Sequence, residues 1–128
     1  MAGIFSKIIS GEIPSYKIFE NEHVYSFLDI CPVKTGHTLV VPKIEIDYFV
    51  DVPEPYYSEV FKAAKKISVA LQKATGCVRV GTTILGFAVP HFHYHLIPLN
   101  EERIDFRDAK SLSKNDMISI QQKILSFM

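Results

Sequence analysis

The sequence predicts one domain of the α+β class, on three observations. Short strand-like runs follow one another with only turns between them, one long amphipathic helix interrupts them, and no strand leads into the glycine-rich loop of a parallel phosphate-binding unit. At 128 residues the chain is long enough to bury about two-thirds of its unfolded surface. Apolar content of 48% and charged content of 22% are those of an ordinary globular protein. Fourteen basic and fourteen acidic side chains cancel, so net charge draws the chain neither to nucleic acid nor to a membrane surface. Cys31 and Cys77 form no CxxC, and the opening residues lack the apolar run of a secretory signal. Reduced thiols and a cytoplasmic location are the expectation.

Taken in order, residues 4–11 place Ile4 and Ile8 one helical turn apart and stop at Gly11, a short N-terminal helix ending at a glycine cap. Residues 16–19 and 23–28 read as strands joined by a turn at Glu20-Asn21-Glu22, with His23 exposed. Asp29-Ile30-Cys31-Pro32 breaks the second strand, and after the turn at Lys34-Thr35-Gly36 a third strand runs from His37 to Pro42. Residues 47–55 are polar and proline-rich, a loop into the long helix. There Val60, Ala64, Ile67 and Leu71 recur on one face, while Lys62, Lys65, Lys66 and Lys73 lie off it, until Thr75-Gly76 ends the run. A strand over residues 78–85 contains Gly81. At the C-terminus Ser113 and Asp116 have capping-box spacing and open a helix over about 113–127.

The chemistry concentrates in His91-Phe92-His93-Tyr94-His95-Leu96-Ile97-Pro98, which holds three of the five histidines. On a strand the imidazoles share one face and Phe92, Tyr94 and Leu96 the other; on a helix no such surface forms. Pro90 and Pro98 bracket the run as strand ends. Neighbouring imidazoles that titrate near neutrality can combine a nucleophilic nitrogen with hydrogen-bond donors, the combination a phosphoryl group requires. The central His93 is the candidate nucleophile, His95 a donor to a phosphate oxygen, and His91 the group that fixes the tautomer of His93. Zinc on the same histidines is the alternative. Roughly 13 Å of backbone between the outer two, at ~3.3 Å per residue, makes three ligands from one strand awkward.

These residues resemble the signature of the histidine triad (HIT) nucleotide-binding proteins, which His91 to Ile97 match without a gap. Gly36-His37-Thr38-Leu39-Val40-Val41-Pro42-Lys43, Phe27-Leu28-Asp29-Ile30 and Ile4-Phe5-Ser6-Lys7-Ile8-Ile9 with Glu12-Ile13-Pro14 are similar to the family's other blocks, in the same order. The likeness spans about residues 4–98 and leaves the C-terminal thirty outside it. It implies a HIT-like fold, a five-stranded antiparallel sheet with one long central helix, doubled in a homodimer into ten strands. It implies hydrolysis or transfer at the α-phosphate of a purine nucleotide conjugate of the AMP or GMP type, through a nucleotidyl–histidine intermediate, with no cofactor required. By the same resemblance His93 is the nucleophile, His95 contacts the phosphate, and His37 and His91 complete the cluster. Asp29 holds the ribose hydroxyls, and Ile4, Phe5, Ile8, Phe27 and Ile30 line the base pocket.

One stretch departs from the family. Where it carries Gly-Gln-Ser/Thr-Val before the triad, this chain has Gly86-Phe87-Ala88-Val89. Two polar groups that face the phosphate and leaving group are replaced, and one preorganised donor is typically worth ~2.7–4 kcal/mol of barrier. A phosphoramidate, whose amine leaves easily once protonated, tolerates this better than a dinucleoside polyphosphate. A nucleoside phosphoramidase is therefore the leading expectation. A nucleotide-binding module with weak catalysis, a dinucleoside polyphosphate hydrolase and a metal-dependent hydrolase are the alternatives.

Overall fold

Alternating apolar residues give a sheet with two apolar faces, and each face has acquired its own cover. The computed structural model describes residues 2–128. Its elements are α1 (Ile4–Ile9), β1 (Lys17–Glu20), β2 (Val24–Leu28), β3 (Thr38–Pro42), α2 (Tyr56–Thr75), β4 (Arg79–Thr83), β5 (Tyr94–Leu99) and α3 (Lys114–Leu125). The strands form one five-stranded sheet in the order β1-β2-β3-β5-β4, every neighbouring pair antiparallel. This is the α+β architecture expected, with a long central helix and a short helix at each end.

On one face Val24, Leu28, Val40 and Leu96 pack against α2, whose predicted stripe of Val60, Ala64, Ile67 and Leu71 is buried throughout. Met117, Ile120 and Ile124 of α3 close the same layer. On the opposite face Tyr25, Phe27, Leu39 and Val41 meet Phe5 and Ile8 of α1. Gly76, with φ of 68°, takes the left-handed conformation that ends α2, its N–H donating to the Gln72 carbonyl at 2.8 Å. The Ser113 hydroxyl accepts from the Asp116 N–H at 3.0 Å, one half of the predicted capping box. α1 has no cap of its own. Glu45, in the loop after β3, takes that part: its Oε1 accepts from the Gly3 N–H at 2.6 Å and the Ser6 hydroxyl at 2.8 Å. A carboxylate distant in sequence, at the positive end of the helix, thus helps hold α1 against the sheet.

Several boundaries differ from the sequence reading. The histidine strand does not begin at His91. β5 starts at Tyr94, because its ladders end at Val40 opposite Tyr94 and at Thr83 opposite His95. Upstream the backbone bonds elsewhere, His91 N–H to the Val89 carbonyl at 2.8 Å and Phe92 N–H to the Ile46 carbonyl at 2.7 Å. Nor does Pro98 end the strand; it lies within β5, paired with Val80. The ladder to β3 has already stopped at Leu96, so on that side Pro98 has no neighbour to bond. β4 is shorter than predicted, and His23 is half-buried, its ring edge-on to Tyr56 at 5.2 Å. The 47–55 loop contains a 3-10 turn at Phe49–Asp51.

Since Ile67 is fully buried between α2 and the sheet and Lys65 is exposed, their alanine variants separate. Ile67→Ala lowers unfolding free energy by about 2–5 kcal/mol in chemical denaturation, and Lys65→Ala changes it by less than about 0.5 kcal/mol.

Candidate active site

The register of β3 against β5 places Leu39 opposite His95, so His37, two residues before Leu39, stands diagonal to His95 on the same face. Aromatic rings reach across such a diagonal. The His37 and His95 rings lie 5.1 Å apart, and Nε2 of His37 is 2.9 Å from Nδ1 of His95. His93 follows at 5.0 Å from His95, with Phe5 of α1 edge-on to both His91 and His93. Alternation persists into the irregular segment: Phe92 enters the α2 layer while His91 and His93 face α1.

Hydrogen-bond partners fix the tautomers. The Val33 backbone N–H can only donate, and it lies 3.1 Å from Nδ1 of His37. That nitrogen therefore carries the lone pair, and in the neutral ring Nε2 carries the proton. Nε2–H donates to Nδ1 of His95, which leaves His95 protonated on Nε2. His93 has the opposite arrangement. Its Nδ1 faces the His91 backbone carbonyl at 2.7 Å, an acceptor, so Nδ1 holds the proton and Nε2 the lone pair. The predicted influence of His91 on the His93 tautomer thus runs through the main chain. The His91 ring itself donates from Nε2 to the Pro42 carbonyl at 2.9 Å, and its Nδ1 is the buried polar side-chain atom left without a partner among the described residues.

All four rings are buried. Burial pushes His37 and His95 down to about 4, with the neighbouring imidazoles adding to the effect, so both are neutral at pH 7. His91 is lowered by burial too, opposed by the Pro42 carbonyl and Glu45. Asp29, just after β2, is raised by its own burial, against the Cys31 N–H that its Oδ1 accepts at 2.9 Å. Its Oδ2 lies 3.7 Å from Nε2 of His37.

Beside this cluster a cavity of about 540 Å³ opens, with His93 and His95 in its wall. Each residue predicted to hold a nucleotide borders it: Asp29, Phe5, Ile8 and Phe27 inside, Ile4 and Ile30 more exposed at the rim. His37 and His91 lie behind the wall. Asp29, His37 and His95 offer atoms within 4.8 Å of one another, but the facing nitrogens of His37 and His95 already share a proton. A metal held by these three residues would have to displace that hydrogen bond. Phe87 is 97% exposed at the rim. Thr82 is turned from the cluster, accepting from the Tyr94 hydroxyl at 2.9 Å, whereas Thr83 shares the His95 face.

The HIT domain family profile matches residues 10–102, more than half of the chain. The chain belongs to the HIT family. A HIT-like protein of Methanocaldococcus jannaschii is 37% identical over 122 residues, covering 90% of this chain and 95% of its own. The adenosine 5'-monophosphoramidase HNT1 of Saccharomyces cerevisiae is 37% identical over 103 residues, covering 80% of this chain and 65% of its own. Among solved structures, the Hit-like protein of Bartonella henselae superposes with a TM-score of 0.88 at 30% identity, covering 98% of this chain and 96% of its own.

Two contributors to this HIT site escaped the sequence reading. Glu45 was invisible because its partners, Gly3 and Ser6, are some forty residues away. Phe106 lines the cavity from the C-terminal segment and stands 4.9 Å from the His95 ring. Its one available sign was a lone aromatic in the charged run Asp105-Phe106-Arg107-Asp108.

The neutral pair also makes stability depend on pH. His37 and His95 protonate near 6.5 when unfolded and near 4 when folded, so between these values the unfolded chain binds more protons. The stability this pair contributes is therefore fully present above pH 6.5 and is lost as pH falls toward 4. Denaturation midpoints measured across that window should slope less steeply in His37→Gln.

Proposed function

We propose that this protein hydrolyses purine nucleotide conjugates at the α-phosphorus, as a nucleoside phosphoramidase, through a nucleotidyl intermediate on His93. The observation that carries the reading is the pair of opposite tautomers facing one cavity: a lone pair on Nε2 of His93 beside a proton on Nε2 of His95. The similarity to an adenosine 5'-monophosphoramidase supports the substrate class. In this reading the base sits among Phe5, Ile8 and Phe27, with Ile4 and Ile30 at the entrance, and the Asp29 carboxylate accepts from the ribose hydroxyls.

Nε2 of His93 attacks phosphorus, and the bond to the leaving amine breaks. The amine takes its proton from solvent at the cavity mouth, since Phe87 and Ala88 offer none. The His93 ring becomes cationic, and the hydrogen bond from its Nδ1–H to the His91 carbonyl strengthens as that charge develops. His95 donates its Nε2–H to a non-bridging phosphate oxygen, with His37 holding the ring in that tautomer. Water then attacks phosphorus, the bond to His93 breaks, and the nucleoside monophosphate leaves as water's proton passes to solvent. No metal enters these steps.

Adenosine 5'-phosphoramidate turnover tests the assignment. His93→Ala should lose on the order of 10⁴-fold in kcat, and wild type should keep its rate in chelator. Equal rates from both proteins, or none from either, would remove the catalytic assignment. A second reading, a nucleotide-binding module with weak catalysis, is favoured by the exposed Phe87 and by Ala88 in place of polar groups. Tight AMP binding by calorimetry without turnover of a panel of conjugates would select it.

We further propose a cytosolic homodimer joined through β4, which forms one edge of the sheet with its outer side unpaired. Free thiols at Cys31 and Cys77 suit that compartment. Light scattering on the purified protein should give twice the chain mass, and a proline at Thr82 should shift the population toward monomer; a wild-type monomer at micromolar concentration would defeat the dimer.

A further inference from the structure

Phe106 lies beyond residue 102, where the family match ends, yet it reaches the centre of the site. Its ring stands edge-on to His95 at 4.9 Å and 67°, and to His37 at 6.1 Å and 62°. It therefore packs against both members of the hydrogen-bonded couple while forming part of the cavity wall with Asp29 and Ile30.

The loop that carries it is closely tied down. Phe106 opens a 3-10 turn, Phe106–Asp108, whose first backbone donor is taken by Asp105: the Arg107 N–H reaches Oδ1 at 2.9 Å. The Arg107 guanidinium returns to the same carboxylate at 2.8 Å, and Arg103 bridges to Asp108 at 2.8 Å. The Lys110 N–H donates to the Pro32 carbonyl at 3.2 Å, joining this loop to the segment that bears Asp29. Arg103, Asp105, Arg107 and Asp108 thus pair among themselves at the surface, and the one aromatic side chain of the loop is delivered inward.

We propose that Phe106 is a positioning residue that roofs the His37–His95 couple and aims His95 at the bound phosphoryl group. The inference rests on the nucleotide-hydrolase reading above. A hydrogen bond between two neutral imidazoles is easily lost to water, whereas an apolar ring over it removes the competing donor and acceptor. The rotation of His95 about its side-chain bonds is then limited by Phe106 on one side and His93 on the other. The titratable and charged groups facing His95 are His37 from just before β3, His93 from the segment before β5, and Asp29 from the loop after β2. Phe106 adds no charge, so its effect is exclusion and alignment. The C-terminal segment therefore completes the site within its own chain.

Phe106→Ala and Phe106→Leu in the full chain test this, with folding checked by thermal melting. Phe106→Ala should lower kcat by about 10- to 100-fold, with KM for adenosine 5'-phosphoramidate changed far less, and should move the acid limb of the kcat profile to higher pH. Phe106→Leu, apolar and still bulky, should recover most of the rate. Histidine ¹⁵N spectra of the free protein supply a readout independent of turnover: wild type should show His95 protonated on Nε2 alone, and Phe106→Ala a mixture of tautomers. A loss of rate with unchanged pH profile and unchanged His95 tautomer would overturn the proposal, as would unaltered kcat in Phe106→Ala. If wild type turns over no conjugate, the hydrolase reading fails, while the ¹⁵N spectra still decide whether Phe106 orders His95.

Discussion

The hydrogen bond from Nε2 of His37 to Nδ1 of His95 is the interaction on which the site depends, and it exists only because β3 and β5 are neighbours. These strands are far apart in the chain, separated by α2 and β4, so the bond cannot form until β3 and β5 meet. Its register is demanding: a slip of one residue would exchange the faces of β5, sending His95 into the α2 layer and Leu96 into the cavity. The apolar face enforces that register, with Val40 and Leu96 buried against α2. Core packing on one side of the sheet thereby sets the tautomers on the other.

Two further constraints work on the histidine face. Burial holds His37 and His95 neutral, which a single proton shared between two rings requires; a cationic pair at this separation would repel. The chain also makes different use of backbone and side chain within a few residues. His91 contributes its carbonyl to His93 and its ring to Pro42, so one residue anchors the loop before β5 and orients the central imidazole. Leaving the regular ladder at Tyr94 makes this possible, since a carbonyl committed to a strand partner has less freedom to receive a side chain.

Much of the fold could be read from local pattern. The stripe Val60-Ala64-Ile67-Leu71 and the alternation of Phe92 with the histidines each report which face is buried, and burial follows short-range periodicity. The candidate site was legible as residue types, with Asp29, His37, His93 and His95 gathered as the motif implies. Their protonation pattern was not, because it depends on Val33, a valine whose only relevant group is its backbone N–H. The start of β5 was missed because alternation continues past the end of the ladder, and side-chain direction alone does not reveal backbone pairing. Glu45 and Phe106 act across the fold from loops without periodicity, where sequence offers composition and little else.

The loss of polar groups before the triad changes how the remaining ones must be understood. Phe87 projects into solvent and the Ala88 side chain has no hydrogen-bonding atom, so in the proposed reaction side-chain stabilisation of developing phosphate charge would fall on His95, the donor in the cavity wall whose proton is fixed. A single donor contributes most when it cannot rotate away and when water does not compete for it. The features surrounding His95 supply those two conditions: His37 pins one nitrogen, His93 and Phe106 flank the ring, and burial keeps it neutral. In the proposed reaction the rigidity of His95 offsets the smaller number of donors, and part of that rigidity comes from Phe106, beyond residue 102 where the family profile match ends.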